Sequence, residues 1–136
     1  MYLCELTKEE ALHRKQISDG TRKMICGVLN IIAEDETSVL TTYREFFLQI
    51  SFSEVHPLMV FYLGRPLEGK TLKMKGGTNR INMATVLGCH FVDEDAGFYT
   101  YRATHWLEAE MSKARFLEIL NRCVDEAERG FCQLVS

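Results

Sequence analysis

The chain has 136 residues, and 16 Lys and Arg against 19 Asp and Glu leave a formal net charge of −3 and a pI near 5.8. That balance argues against a dedicated nucleic-acid binder, because releasing counterions from a phosphate backbone needs a basic face. With 46% hydrophobic and 26% charged residues the composition is that of a soluble globular protein, neither disordered nor fibrous. A single domain over residues 1–136 is expected, and a chain of this length buries about two-thirds of its unfolded surface without disulfide or metal staples.

The first ten residues, Met1 to Glu10, turn acidic at once and carry no basic start before an apolar run, so no secretory signal is read there. The longest apolar run, Pro57 to Leu63, falls far short of the ~20 residues that span a bilayer. Cys4, Cys26, Cys89, Cys123 and Cys132 are odd in number, form no Cys-x-x-Cys pair and sit mostly among apolar neighbours, as reduced core thiols do. A cytoplasmic protein with no membrane partner is the expectation.

Thr7 and Glu10 have the spacing of a capping box, which starts a helix at Lys8, and Asp19-Gly20 is expected to interrupt or kink it. Met24, Ile25, Val28, Leu29, Ile31 and Ile32 then share one helical face. A strand over 22–33 is the rival reading, since Val and Ile abound and Gly27 costs a helix about 1 kcal/mol relative to Ala. From Val39 the pattern turns to strands: Phe46, Leu48, Ile50 and Phe52 alternate with Phe47, Gln49 and Ser51. Ser53 to Pro57 makes a turn, and Leu58 to Leu63, apolar on both faces, is expected to be a central strand.

A basic, glycine-bearing stretch from Gly64 to Gly77 leads to Thr78, a candidate N-cap for a short helix with Ile81, Ala84 and Leu87 on one side. Cys89 to Val92 and Phe98 to Trp106 flank the acidic Asp93-Glu94-Asp95-Ala96-Gly97, which spells a hairpin. Ser112 caps a last helix whose apolar residues run from Phe116 to Ala127 before Gly130 ends it. The order helix, three strands, helix, two strands, helix is α+β, an antiparallel sheet covered by helices.

Gly64-Arg65-Pro66-Leu67-Glu68-Gly69-Lys70-Thr71 matches the phosphate-binding pattern G-x-x-x-x-G-K-[ST] and follows an apolar strand. Gly64, Gly69, Lys70 and Thr71 would be its phosphate-binding residues, with the loop N–H groups and the lysine on the phosphates. Such a loop leads into a stable helix, whereas here only Leu72 to Lys75 precede Gly76-Gly77. The chain is also short for the parallel sheet of that class. A turn between strand and helix is therefore the first reading, and a nucleotide- or phosphate-binding protein the alternative. Arg65, Lys70, Lys73, Lys75 and Arg80 gather five bases in an acidic chain, so Arg65, Lys73, Lys75 and Arg80 are candidates for meeting an acidic partner surface, against the plainer reading of a solvated loop.

His13, His56, His90, His105 and Cys89 fit no zinc template, so no metal and no cofactor are expected. Asp93, Asp95 and Gly97 start like a calcium loop, but Thr104 stands where its bidentate Glu would be. No Ser-His-Asp or Cys-His arrangement stands out among the scattered candidates, so no catalytic residue is proposed. The aromatic residues Phe46, Phe52, Phe61, Tyr62, Phe98, Tyr99 and Tyr101 belong in strands, as core or as subunit interface.

Asn79-Arg80-Ile81-Asn82-Met83-Ala84-Thr85, followed by a hairpin with an acidic loop and a capped amphipathic helix, resembles the YbjN family of bacterial sensory transduction regulators. That family is similar in fold to the small dimeric chaperones of type III secretion. The resemblance rests on Asn79, Asn82 and the layout from Gly88 to Phe131. It implies a non-enzymatic role, a homodimeric adaptor or chaperone-like module that binds a client or regulator protein on apolar patches and sheet edges.

Overall fold

The computed structural model describes residues 7–53 and 55–136. Helix α1 (Lys8–Val28) is followed by strands β1 (Ala33–Glu34), β2 (Ser38–Tyr43), β3 (Phe46–Phe52) and β4 (Leu58–Pro66). Then come α2 (Gly77–Ala84), β5 (Gly88–Asp93), β6 (Phe98–Trp106) and α3 (Lys113–Leu134). The strands form one antiparallel sheet in the order β1-β2-β3-β4-β6-β5. The expected α+β order is present, with the two-residue β1 as an addition that the sequence pattern did not show.

The start of α1 is set as the sequence reads: Thr7 Oγ1 accepts from the Glu10 N–H at 3.0 Å, and the Glu10 carboxylate accepts from the Thr7 N–H at 3.2 Å. The expected break at Asp19-Gly20 is corrected, since α1 runs through it to Val28 and settles most of 22–33 as helix. The burial of Ile17, Thr21 and Ile25 carries the helix across the glycine, and Thr21 accepts the N–H of Met111. Helix α2 begins at Gly77, two residues earlier than a Thr78 cap would place it. Gly76, at φ 78°, makes the entry that a side-chain cap would otherwise make.

Alternation decides which face of the sheet is buried. Phe46, Leu48 and Ile50 of β3, Met59, Phe61 and Leu63 of β4, and Tyr99, Tyr101 and Ala103 of β6 point to one side, where Ile17 and Ile25 of α1 and the apolar stripe of α3 complete the core. The expectation that Leu58 to Leu63 is a central strand holds, for β4 lies between β3 and β6. The opposite face is open. Among the described residues no helix is long and apolar enough to cross a membrane.

Of the described cysteines, all free, only Cys123 is buried; Cys89 is half-buried, and Cys26 and Cys132 are exposed. This corrects the picture of core thiols: Cys26 and Cys132 take solvent-facing positions of amphipathic helices. Cys4 and Glu54 lie outside the described residues.

Candidate protein-binding surface

The open face is built by register. Leu40, Gln49, Tyr62, Arg102 and Cys89 stand side by side across β2, β3, β4, β6 and β5. The next row holds Thr42, Phe47, Gly64, Thr100 and Phe91. A cavity of about 270 Å³ opens among Leu40, Phe47, Gln49, Tyr62, Gly64, Phe98 and Thr100. Phe47 is 54% exposed, Phe91 49% and Trp106, at the end of β6, 67%. Large aromatic side chains left in water on one sheet face form the kind of surface that another polypeptide covers. The aromatic stripe therefore divides. Phe46, Phe52, Phe61, Tyr99 and Tyr101 are core, whereas Tyr62 and Phe98 line the open face.

The stretch Gly64–Thr71 leaves β4 through Glu68 and Gly69, both at positive φ. Three of its N–H groups have partners within the chain outside the strand ladder. Leu67 donates to Gly97 O, Lys70 to Leu67 O, Thr71 to Ser136 O, and Lys73 just beyond to Leu134 O. Leu72 and Val135 form a β-bridge there, so the stretch is tied to the segment that ends α3. The basic residues separate in the same way. Arg65 pairs with Glu45 at 3.0 Å and lies 4.1 Å from the centre of the Phe131 ring, with the Lys70 ammonium 5.4 Å from the same ring. Lys73 Nζ donates to the Cys132 carbonyl at the C-terminal end of α3, where the helix dipole favours a cation. Lys75 and Arg80 are exposed and form no ion pair among the described residues.

A polar cluster joins α2, β5, β6 and α3. The Glu126 carboxylate accepts the N–H groups of Val86, Leu87 and Gly88 at 3.2, 3.3 and 3.0 Å, and the Tyr101 hydroxyl donates to it as well. Burial pushes the Glu126 carboxyl up, but the Tyr101 hydroxyl and the three amides outweigh it and hold it below the usual carboxylate range. Beside it buried His90 meets Tyr99 Oη at 2.6 Å and Thr85 Oγ1 at 3.0 Å, and burial pushes its imidazole down so that the neutral form is held. Burial pushes the Cys123 thiol up to about 11. Nothing in the local sequence announces this cluster, because Glu126, Tyr101, His90 and Asn82 come from four elements.

His90 stands opposite Tyr101 and His105 opposite Met59, so the two histidines are not brought together. Among the described residues no group of three His, Cys, Asp or Glu is placed to hold a metal ion. Asp93 Oδ1 accepts the Ala96 N–H, a hairpin turn contact, and Gly97 closes the turn at φ 65°.

No protein-family model matches the chain, and no curated protein matches it. Solved structures do. The crystal structure of YbjN, a putative transcription regulator from E. coli, superposes with a TM-score of 0.58 at 9% identity, over 88% of this chain and 95% of that one. The structure of the HopA1-SchA chaperone-effector complex matches with a TM-score of 0.53 at 13% identity, over 93% of this chain and 95% of the other. The chain thus has the YbjN-like, type III secretion chaperone-like fold.

Proposed function

We propose that the protein is a non-enzymatic protein-binding module of the cytoplasm, chaperone-like or a regulatory adaptor, one domain over 1–136, acting as a homodimer and binding apolar segments of a client on its open sheet face. The observation that carries this reading is that Phe47, Phe91 and Trp106 are exposed on a sheet face that, among the described residues, no helix covers. The likeness to a chaperone caught with its effector supports a protein as the occupant. The open face and the exposed Met83 and Val86 of the α2 region are two separate apolar areas, the first assigned to a client and the second to a second copy. Lys75 and Arg80 add a cationic rim for an acidic segment.

The alternative reading, a phosphate held at Gly64, Gly69, Lys70 and Thr71, has against it the carbonyl partners of the Lys70 and Thr71 N–H groups. Dilution of a denatured test protein in the presence of the chain is the discriminating experiment. The parent should suppress aggregation at near-equal molar ratio, and Phe47→Asp should raise the amount needed at least about tenfold, the size of effect a buried aromatic anchor carries. Light scattering should give a dimer mass. A monomer that leaves aggregation unchanged overturns the reading, and heat from ATP and Mg²⁺ that disappears in Lys70→Ala replaces it with the nucleotide one.

A further inference from the structure

Helix α1 buries one narrow stripe, Ile17, Thr21 and Ile25. The stripe beside it, Ala11, Arg14, Lys15, Ser18, Asp19 and Arg22 at helical spacing, walls a cavity of about 470 Å³. Across that space stand Glu36 and Thr37, just before β2, and Phe52 and Ser53, where β3 ends. Two arginines prop the helix there. Arg14 Nη1 donates to the Val55 carbonyl at 2.7 Å, and Arg22 Nη1 donates to the Glu36 carbonyl at 2.9 Å. Positions 14 and 22 lie about 12 Å apart along the helix axis, so the props frame the cavity. A helix stripe that turns toward a sheet is ordinarily apolar and closely packed. This one is polar, with space left beside it.

We propose that this cavity is a binding site for a small organic acid, one carboxylate on a compact apolar body. The charges of the lining call for a single negative charge. Arg14, Lys15 and Arg22 stand against Asp19 and Glu36, three against two, an excess of one positive. Lys15 is already held by Asp19 at 3.0 Å. Arg22 is engaged as well, since besides Glu36 O it donates to Asp35 O and Ser38 O and pairs with Glu34 at 3.2 Å. Arg14 is the cation with donors to spare. It forms no ion pair among the described residues, and of the five N–H groups of its guanidinium one goes to Val55 O. The Nε and Nη2 edge that is left matches a planar carboxylate with two parallel bonds.

The rest of the lining sets the body of the ligand. Phe52, 8% exposed, and Ala11 offer apolar surface, and Ser18 and Ser53 offer hydroxyls. A phosphate dianion would bring a second negative charge toward Asp19 and Glu36, so a monocarboxylate is the better match. The volume falls within the roughly 300–1,000 Å³ of small-molecule sites. The cavity shares no residue with the open face or with the Gly64–Thr71 stretch, so the proposal stands apart from the protein-binding reading. A bound acid bridges α1 to the ends of β2 and β3, and the folded chain gains stability as the ligand is added.

The test uses the full chain with 3-phenylpropionate as the probe and 3-phenylpropionamide as its uncharged control, followed by calorimetry and by titration of the amide resonances. The acid should bind with a Kd of roughly 0.1–1 mM, the affinity that about eleven heavy atoms can reach, and should move the resonances of Ala11, Ser18 and Ser53. The control should bind at least about tenfold more weakly, and Arg14→Gln should weaken the acid by a similar factor. Ala11→Trp fills the space from an exposed helix position, so it should abolish binding while leaving the urea midpoint unchanged. If Arg14→Gln fails to fold, Ala11→Trp decides. The absence of saturable shifts in the parent, a control that binds as well as the acid, or a folded variant that binds as tightly as the parent would overturn the proposal. Shifts centred on Tyr62 and Thr100 would overturn it too, by giving the probe to the open face. Magnetisation transfer from residues 1–6 to the Ala11 methyl in the free chain would give the cavity to this chain's own N-terminal segment, with the same consequence.

Discussion

The imidazole of His90 on β5 lies against the backbone of Gly130 on α3, so closely that a Cβ added at Gly130 would overlap the ring. Gly130 does not end α3 as its sequence suggests but lies inside it, for the helix runs on to Leu134; glycine inside a helix ordinarily costs about 1 kcal/mol relative to alanine, so Gly130→Ala on propensity alone should stabilise α3. Here the neighbour is a buried ring fixed by two hydrogen bonds, not the loose end of a flexible side chain. Overpacking prevails, and Gly130→Ala should lower stability by about 1–3 kcal/mol, read as a lower urea midpoint at unchanged slope.

Glu126 should be the most costly polar residue to replace. Its carboxylate receives three consecutive N–H groups and the Tyr101 hydroxyl, so Glu126→Ala leaves those donors without their acceptor. A loss of about 1–3 kcal/mol is expected, with faster hydrogen exchange at Val86, Leu87 and Gly88. In a double-mutant cycle with Tyr101→Phe the two losses should fall short of additive by at least about 0.5 kcal/mol, because both remove the same bond.

Much of the fold was readable because its rules are local. The Thr7–Glu10 box, the alternation through Phe46 to Phe52, the hairpin around Asp93 to Gly97 and the Ser112 cap each act within a few residues. Asp19-Gly20 misled because one glycine costs a helix only about 1 kcal/mol, which the burial of Ile17, Thr21 and Ile25 on either side outweighs, and that burial depends on elements far off in sequence. The short β1 was not legible, since two residues show no period. Phe47 and Phe91 could be placed in strands but not on an uncovered face, because that depends on where the helices lie. The Asn82–His90 contact was beyond reach for the same reason, although Asn82 had been singled out by resemblance.

Stability should fall on both sides of a neutral plateau. His90 and His105 have imidazoles pushed down, chiefly by burial, so each favours the neutral form in the folded state. Their contribution is complete above the unfolded value of 6.5 and is lost as pH falls below it. Around His90 the groups that matter are the Tyr99 and Thr85 hydroxyls, the Tyr101 ring and Glu126. Glu126, held below its ordinary 4.5, adds a further loss in the acid range. Tyr99 and Tyr101 are pushed well up, mainly by burial, and the Cys123 thiol is pushed up to about 11, so alkaline loss begins above pH 9–10. Urea midpoints measured from pH 4 to 10.5 should show this plateau. His90→Gln should flatten the fall between pH 6.5 and 5 without abolishing it, since His105 remains.

Trp106 is the only tryptophan, it stands opposite Leu58, and it is 67% exposed at one end of the open face. Pro66, where the Gly64–Thr71 stretch leaves the sheet, pairs with Phe98 at the other end of β4. The two ends of a nine-residue strand are separated by about 26 Å, and Phe47 stands opposite Gly64 near the Pro66 end, so the indole reports an occupant that reaches along the face to Leu58 and not one confined to the Gly64–Thr71 end. A client or a second copy laid on the face covers the ring, and the emission should move to the blue with lower access to a soluble quencher. ATP and Mg²⁺ acting at Lys70 should leave both unchanged. Because Trp106→Phe keeps an apolar ring at that position, client binding should persist while the signal is lost, which separates the reporter from the surface it reports on. A blue shift that survives in Phe47→Asp would place the contact at the Trp106 end of the open face, and Phe47 would then have to be given up as its anchor.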